Sequence, residues 1–122
     1  MLSRLPVTLV KISVVLSCML NLSCGSPITP TVPIGPDGVP DQQLIKGREI
    51  WGIHCSSCHG NAGQGGRGKR LNNGEALKSY TSSSEIAGVI SEGKGQGMPA
   101  FSSKLAQAEI EAVIQYIREV LN

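Results

Sequence analysis

The chain has 122 residues, 12.8 kDa, and a formal charge of +2 from 11 basic and 9 acidic side chains. That size allows one small domain, and that charge excludes the basic footprint of a nucleic-acid binder, so no nucleic-acid partner is expected. Hydrophobic residues reach 40% but aromatics only 3%, alongside fifteen glycines and seven prolines, so the core needs added volume or a cross-link from elsewhere.

Residues 1–23 read as an export signal. Arg4 and Lys11 form a positive start, and Ile12–Ser23 is mostly apolar, too short to span a bilayer as a helix. Its end, N-L-S-C-G-S, resembles the processing site of a bacterial lipoprotein, with Cys24 as the acylated residue. V-L-S-C at Cys18 fits that pattern better locally but leaves a shorter apolar core. Removing Arg4 and Lys11 leaves nine basic against nine acidic side chains. Residues 24–40 form the next unit, a tether holding five of the seven prolines: Pro27, Pro30, Pro33, Pro36 and Pro40. Proline lacks an amide donor and fixes φ, so the expectation is neither helix nor sheet but a stalk. Its sixteen residues after Cys24, at about 3.1 Å each, would reach about 50 Å.

The folded domain is expected over residues 41–122, with helices and no strand-like alternation. Asp41 predicts an N-cap for a helix over about Gln42–Ile53, with Leu44, Ile45, Ile50 and Trp51 on its apolar side. Gly47 interrupts it at a cost of about 1 kcal/mol against Ala, as expected where another element comes close. Ser82 and Glu85 have capping-box spacing for a helix over about Ser83–Glu92, with Gly93 as its stop. Ile110, Val113, Ile114, Ile117, Val120 and Leu121 give a helix over about Gln107–Leu121 an apolar stripe. Ala106 offers it no side-chain cap, an expected loss of about 1 kcal/mol. The glycine-rich run Gly60–Asn73 reads as loop. It lacks the strand and the G-K-[ST] end of a phosphate cradle.

The chemistry sits at Cys55-Ser56-Ser57-Cys58-His59, a pattern whose chance occurrence in this composition is about 1 in 500. It reads as a c-type haem attachment site, with two cysteines one helical turn apart for the porphyrin vinyl groups and His59 beneath the iron. Two alternatives share the spacing. A thioredoxin-like C-x-x-C needs a βαβ setting. A structural zinc needs four ligands, and only Cys55, Cys58, His54 and His59 are at hand, crowded into six residues. After processing, Met98 is the one remaining thioether. It stands in Gly97-Met98-Pro99, where the proline extends it as a loop ligand. Lys94 and Lys104 are weaker candidates for the sixth ligand, and His54 is tied to the attachment side.

These features resemble the class I mono-haem cytochrome c family, on G-R-E-I-W-G-I-H-C-S-S-C-H-G, G-Q-G-M-P-A-F and the last amphipathic helix with Tyr116. The resemblance covers residues 41–122. It implies an all-α fold of three to four helices around one covalent haem c on Cys55 and Cys58. It also implies axial ligands His59 and Met98 and a crossing of first and last helices at Gly47 and Tyr116. It departs from the family at Lys69, where a proline often stands whose carbonyl orients the histidine; a carbonyl remains there, on a looser loop. The implied function is a one-electron carrier between redox protein partners, not an enzyme. It would work outside the cytoplasmic membrane, held there by a lipid anchor. A relay subunit of a larger redox enzyme, and a ligand-binding or peroxidatic domain with displaceable Met98, are the other readings. Lys69, Arg70, Lys94 and Lys104 are candidates for steering acidic partners.

Overall fold

The computed structural model describes residues 28–122. The expected export segment 1–23, with Cys18, and the expected lipid site Cys24 lie outside the described residues. Helices α1 (Gln42–Ile50), α2 (Ser56–His59), α3 (Glu75–Ser79), α4 (Ser83–Glu92) and α5 (Gln107–Glu119) follow in order, and one π-helical turn, Trp51–Cys55, fuses α1 to α2. The described residues therefore form four helical segments, with two isolated antiparallel bridges, Ile34–Pro40 and Lys94–Met98, in place of a sheet. The all-α expectation holds.

Local chemistry explains each helix. The Asp41 carboxylate accepts from the amides of Gln43 at 2.7 Å and Leu44 at 3.2 Å, which satisfies two first-turn donors of α1. On α4 the capping box closes both ways: Glu85 N–H donates to Ser82 Oγ at 3.2 Å and Ser82 N–H to Glu85 Oε2 at 2.9 Å. Gly93 ends α4 with φ +79°, a conformation that favours glycine. Ahead of α5, Ala106 has no capping side chain, but its N–H donates to Glu109 Oε2 at 3.0 Å, so half of a capping box replaces the expected loss.

The central contact is the crossing of α1 and α5. A Cβ built on Gly47 would lie 2.1 Å from the Ala112 carbonyl oxygen and 2.7 Å from Tyr116 Cβ. The expected glycine–aromatic crossing is therefore real, and only a hydrogen in place of a side chain allows it. Trp51 and Tyr116 are both fully buried beside it, with ring centroids 6.3 Å apart. Ile110, Val113, Ile114, Ile117 and Leu121 line the core as the stripe predicts, while Ile45, expected on the apolar side, is 39% exposed. The π-helical turn begins right after Ile50 and adds a residue to the repeat, so the helix does not run through Ile53 as one α-helix.

The proline-rich segment departs most from expectation. Residues 28–40 do not stand off as a stalk. The Pro30 carbonyl accepts from Arg48 Nε at 2.8 Å and from the Tyr116 hydroxyl at 3.2 Å, and Val32 packs on the core. Gly35 N–H donates to the Val39 carbonyl at 2.9 Å, which closes a small loop around Asp37 and Gly38. Missing donors prevent proline from building a ladder, but its carbonyl still accepts.

Candidate functional site

The attachment motif is built at the end of the first helical segment. Cys55 closes the π-helical turn, and Cys58 and His59 belong to α2. Cys55 and Cys58 form no disulfide with each other, and both are half-buried. Burial, with Cys58 adding to it, pushes the Cys55 thiol up to about 12, so it is held as the neutral S–H. His59 is half-buried beside Trp51, with ring centroids 6.1 Å apart.

The glycine-rich loop wraps this motif and orients His59. Gly65 N–H donates to the His59 carbonyl at 2.7 Å and Gly68 N–H to the Cys58 carbonyl at 2.8 Å. A Cβ on Gly68 would lie 2.8 Å from His59 Cε1 and Nδ1, so glycine is what lets the loop pass the ring. The Lys69 carbonyl lies 2.8 Å from His59 Nδ1. A carbonyl only accepts, so Nδ1 carries a proton, and in that tautomer Nε2 is the nitrogen left to bind a metal. The proline slot filled by Lys69 thus retains the orienting bond. The Trp51 indole N–H donates to the Asn61 carbonyl at 3.1 Å, and Asn122 Nδ2 donates to the Leu71 carbonyl at 2.9 Å, which ties the loop to both α1 and the chain end.

Met98 sits in a second loop, between α4 and α5. It is half-buried and packs against the core. Lys94 N–H donates to the Met98 carbonyl at 3.0 Å and Met98 N–H to the Lys94 carbonyl at 3.3 Å. Phe101, three residues on, is buried and meets the His54 ring edge-on at 5.9 Å, which brings this loop against the attachment motif. Lys94 Nζ donates to the Tyr80 hydroxyl and lies 5.0 Å from the centre of its ring. Sequence reasoning missed this pair, because Lys94 and Tyr80 belong to different segments with no shared periodicity.

The donor set fits a haem. It offers two thiols one turn apart, an imidazole held through Nδ1 with Nε2 turned away from that bond, and a soft thioether on a separate loop. The alternatives find less. Among the described residues no three His, Cys, Asp or Glu side chains gather to hold a metal ion, as zinc would need, and no strand supplies a βαβ setting.

Comparisons with known proteins agree with this chemistry. The family described as cytochrome c oxidase, cbb3-type, subunit III matches residues 42–117. A cytochrome c6-like protein of Nostoc is 33% identical over 81 residues, 64% of this chain and 71% of that protein. The cbb3-type cytochrome c oxidase subunit FixP of Azorhizobium caulinodans is 33% identical over 75 residues, 59% of this chain but only 25% of that subunit. Among solved structures, cytochrome cL from Hyphomicrobium denitrificans superposes with a TM-score of 0.57 at 30% identity, over 62% of this chain and 46% of that one. Cytochrome c6C from Synechococcus gives 0.50 at 40% identity, over 59% of this chain and 89% of that one. Family match, shared helical fold and C-x-x-C-H motif lead to one conclusion: the chain belongs to the cytochrome c family, as an electron-transfer protein with covalent c-type haem.

Proposed function

We propose that this protein is an exported one-electron carrier, with haem joined through Cys55 and Cys58 and the iron held between His59 and Met98. The bond from His59 Nδ1 to the Lys69 carbonyl, which leaves Nε2 to bind a metal, carries this reading. Bound haem supplies the one-electron Fe(III)/Fe(II) couple. His59, its ring oriented by the loop, would hold the iron through Nε2. The Met98 thioether, as a soft ligand, would favour the reduced form and raise the potential. With both protein ligands in place, the group would not be open to dioxygen or peroxide. Lys69, Arg70, Lys94 and Lys104 are exposed and supply positive charge for acidic redox partners.

Replacing Met98 with Ala tests the ligand set. The iron–sulfur charge-transfer absorbance disappears and the reduction potential falls; if neither changes, Met98 is not the ligand. The placement outside the cytoplasmic membrane rests on residues 1–23, and the lipid anchor on Cys24. Mass spectrometry of the mature N-terminus checks both. It finds an acylated Cys24; acylation at Cys18, or an unmodified N-terminus downstream of Cys24, sinks that assignment.

A second reading, a relay subunit in a larger redox enzyme, is favoured by the similarity to the oxidase subunit FixP, of which this chain spans a quarter. Copurification from native membranes separates the two. A stable stoichiometric complex supports the relay, and recovery as a free protein supports the shuttle.

A further inference from the structure

The loop that carries Met98 has few means of holding its own shape. Gly95 has φ +59°, and a Cβ on Gly95 or Gly97 would meet no protein atom within 4 Å, so these two glycines gain no packing from the rest of the described chain. Its closure rests on its two ends. Lys94 and Met98 exchange two backbone hydrogen bonds, and the Lys94 side chain then reaches back to Tyr80, the residue that ends α3. Tyr80 is itself held, because it is half-buried on the core and its N–H donates to the Ala76 carbonyl at 2.9 Å. Ala76 is 2% exposed. A continuous chain of contacts therefore runs from the core through Ala76, Tyr80 and Lys94 to the backbone of Met98.

We infer that Lys94 and Tyr80 are positioning residues for Met98, a clamp that holds its loop closed over the ligand site. This deepens the proposed function and rests on Met98 as the axial ligand. The clamp is a single hydrogen bond. The ammonium donates to the phenol oxygen and sits off the hydroxyl end of the ring, 5.0 Å from its centre. Tyr80→Phe and Lys94→Met therefore each remove it whole. Lys94→Arg keeps a cation and donors in reach. A lysine serving only as solvated surface charge would show no such difference.

The test uses the ferric holoprotein and imidazole as a competing iron ligand. Imidazole enters when the Met98 loop opens, so its affinity reports closure. Losing that hydrogen bond shifts affinity about threefold to tenfold. Imidazole is thus expected to bind about threefold to tenfold tighter to Tyr80→Phe and to Lys94→Met alike, with Lys94→Arg near the wild type. Amide exchange at Met98 N–H accelerates in the same two variants, while the global denaturation midpoint of the Lys94 variants stays nearly constant because that side chain is exposed. Unchanged imidazole affinity and unchanged exchange in Lys94→Met, with the iron–sulfur band present in the wild type, overturn the clamp alone. Absence of that band in the wild type overturns Met98 ligation instead. The exchange measurement still decides the clamp in that case: acceleration in Lys94→Met supports a loop clamp, and its absence overturns it.

Discussion

His59 is oriented by a backbone carbonyl, an atom that no side-chain substitution at Lys69 removes. The neighbouring residue is different, because a Cβ on Gly68 would press into the imidazole at 2.8 Å. The two positions therefore separate backbone from side-chain effects. Lys69→Ala leaves the reduction potential of the holoprotein unchanged. Gly68→Ala turns the ring or displaces the loop, shifts the potential and costs about 1–3 kcal/mol of stability. Voltammetry and denaturant titration of both variants check this. Equal potentials in the two would mean that the loop does not set the ring. At this scale the attachment motif was legible because it is contiguous and rare. The orienting carbonyl at Lys69 was legible because every residue has one. The bond between Lys94 and Tyr80 was not, because it joins two segments that only the fold brings together.

Helices α1, α4 and α5 were readable because each has a start signal or a repeated apolar face. Short α3 was not, because it has five residues and a single buried side chain, Ala76. The π-helical turn has no sequence marker, and its extra residue is visible only in the backbone. The clearest element-level consequence concerns α4, which leads into the Met98 loop. Hydrogen bonds from Ser82 N–H, the Thr81 hydroxyl and the Ser82 hydroxyl, the backbone one largest, hold the Glu85 carboxyl below its ordinary 4.5. A depressed acid stabilises the fold fully above its unfolded value and loses that contribution as pH falls through the folded one. Glu85→Gln can still accept from Ser82 N–H but carries no charge at any pH. At pH 7 the wild type is therefore more stable than Glu85→Gln, and the difference shrinks as pH drops below about 4.5. Paired melting curves across that range measure it, and the comparison cancels any acid effect common to both proteins. A difference independent of pH would mean that the carboxylate charge contributes nothing to the cap.

At the scale of the molecule, the proline-rich segment changes how the domain sits relative to any anchor. A free stalk from Gly25 to Pro40 would give about 50 Å of reach. The bond of the Pro30 carbonyl to Arg48 and Tyr116 moves the exit point to the α1–α5 crossing. If Cys24 carries lipid, the chain from there to Ile28 spans at most about 15 Å. The domain is then held close to the surface, with its orientation restricted by where residues 28–40 lie. This strap was hidden in the sequence because proline was read for the donor it lacks, and its carbonyl has no sequence signature. Two hydrogen bonds at about 1 kcal/mol each and the packing of Val32 hold it, so it is docked for most of the time but can be released. Oxidised haem is paramagnetic and gives position-dependent NMR shifts to nearby groups. Val32 methyls in the oxidised holoprotein are expected to show one fixed shift relative to the reduced form. Arg48→Leu combined with Tyr116→Phe reduces that shift toward zero and speeds protease cleavage within residues 28–40. It leaves the helical core folded, because Phe keeps the Cβ of Tyr116 against Gly47 and its ring against Trp51. Val32 shifts already averaged to zero in the wild type would restore the free stalk.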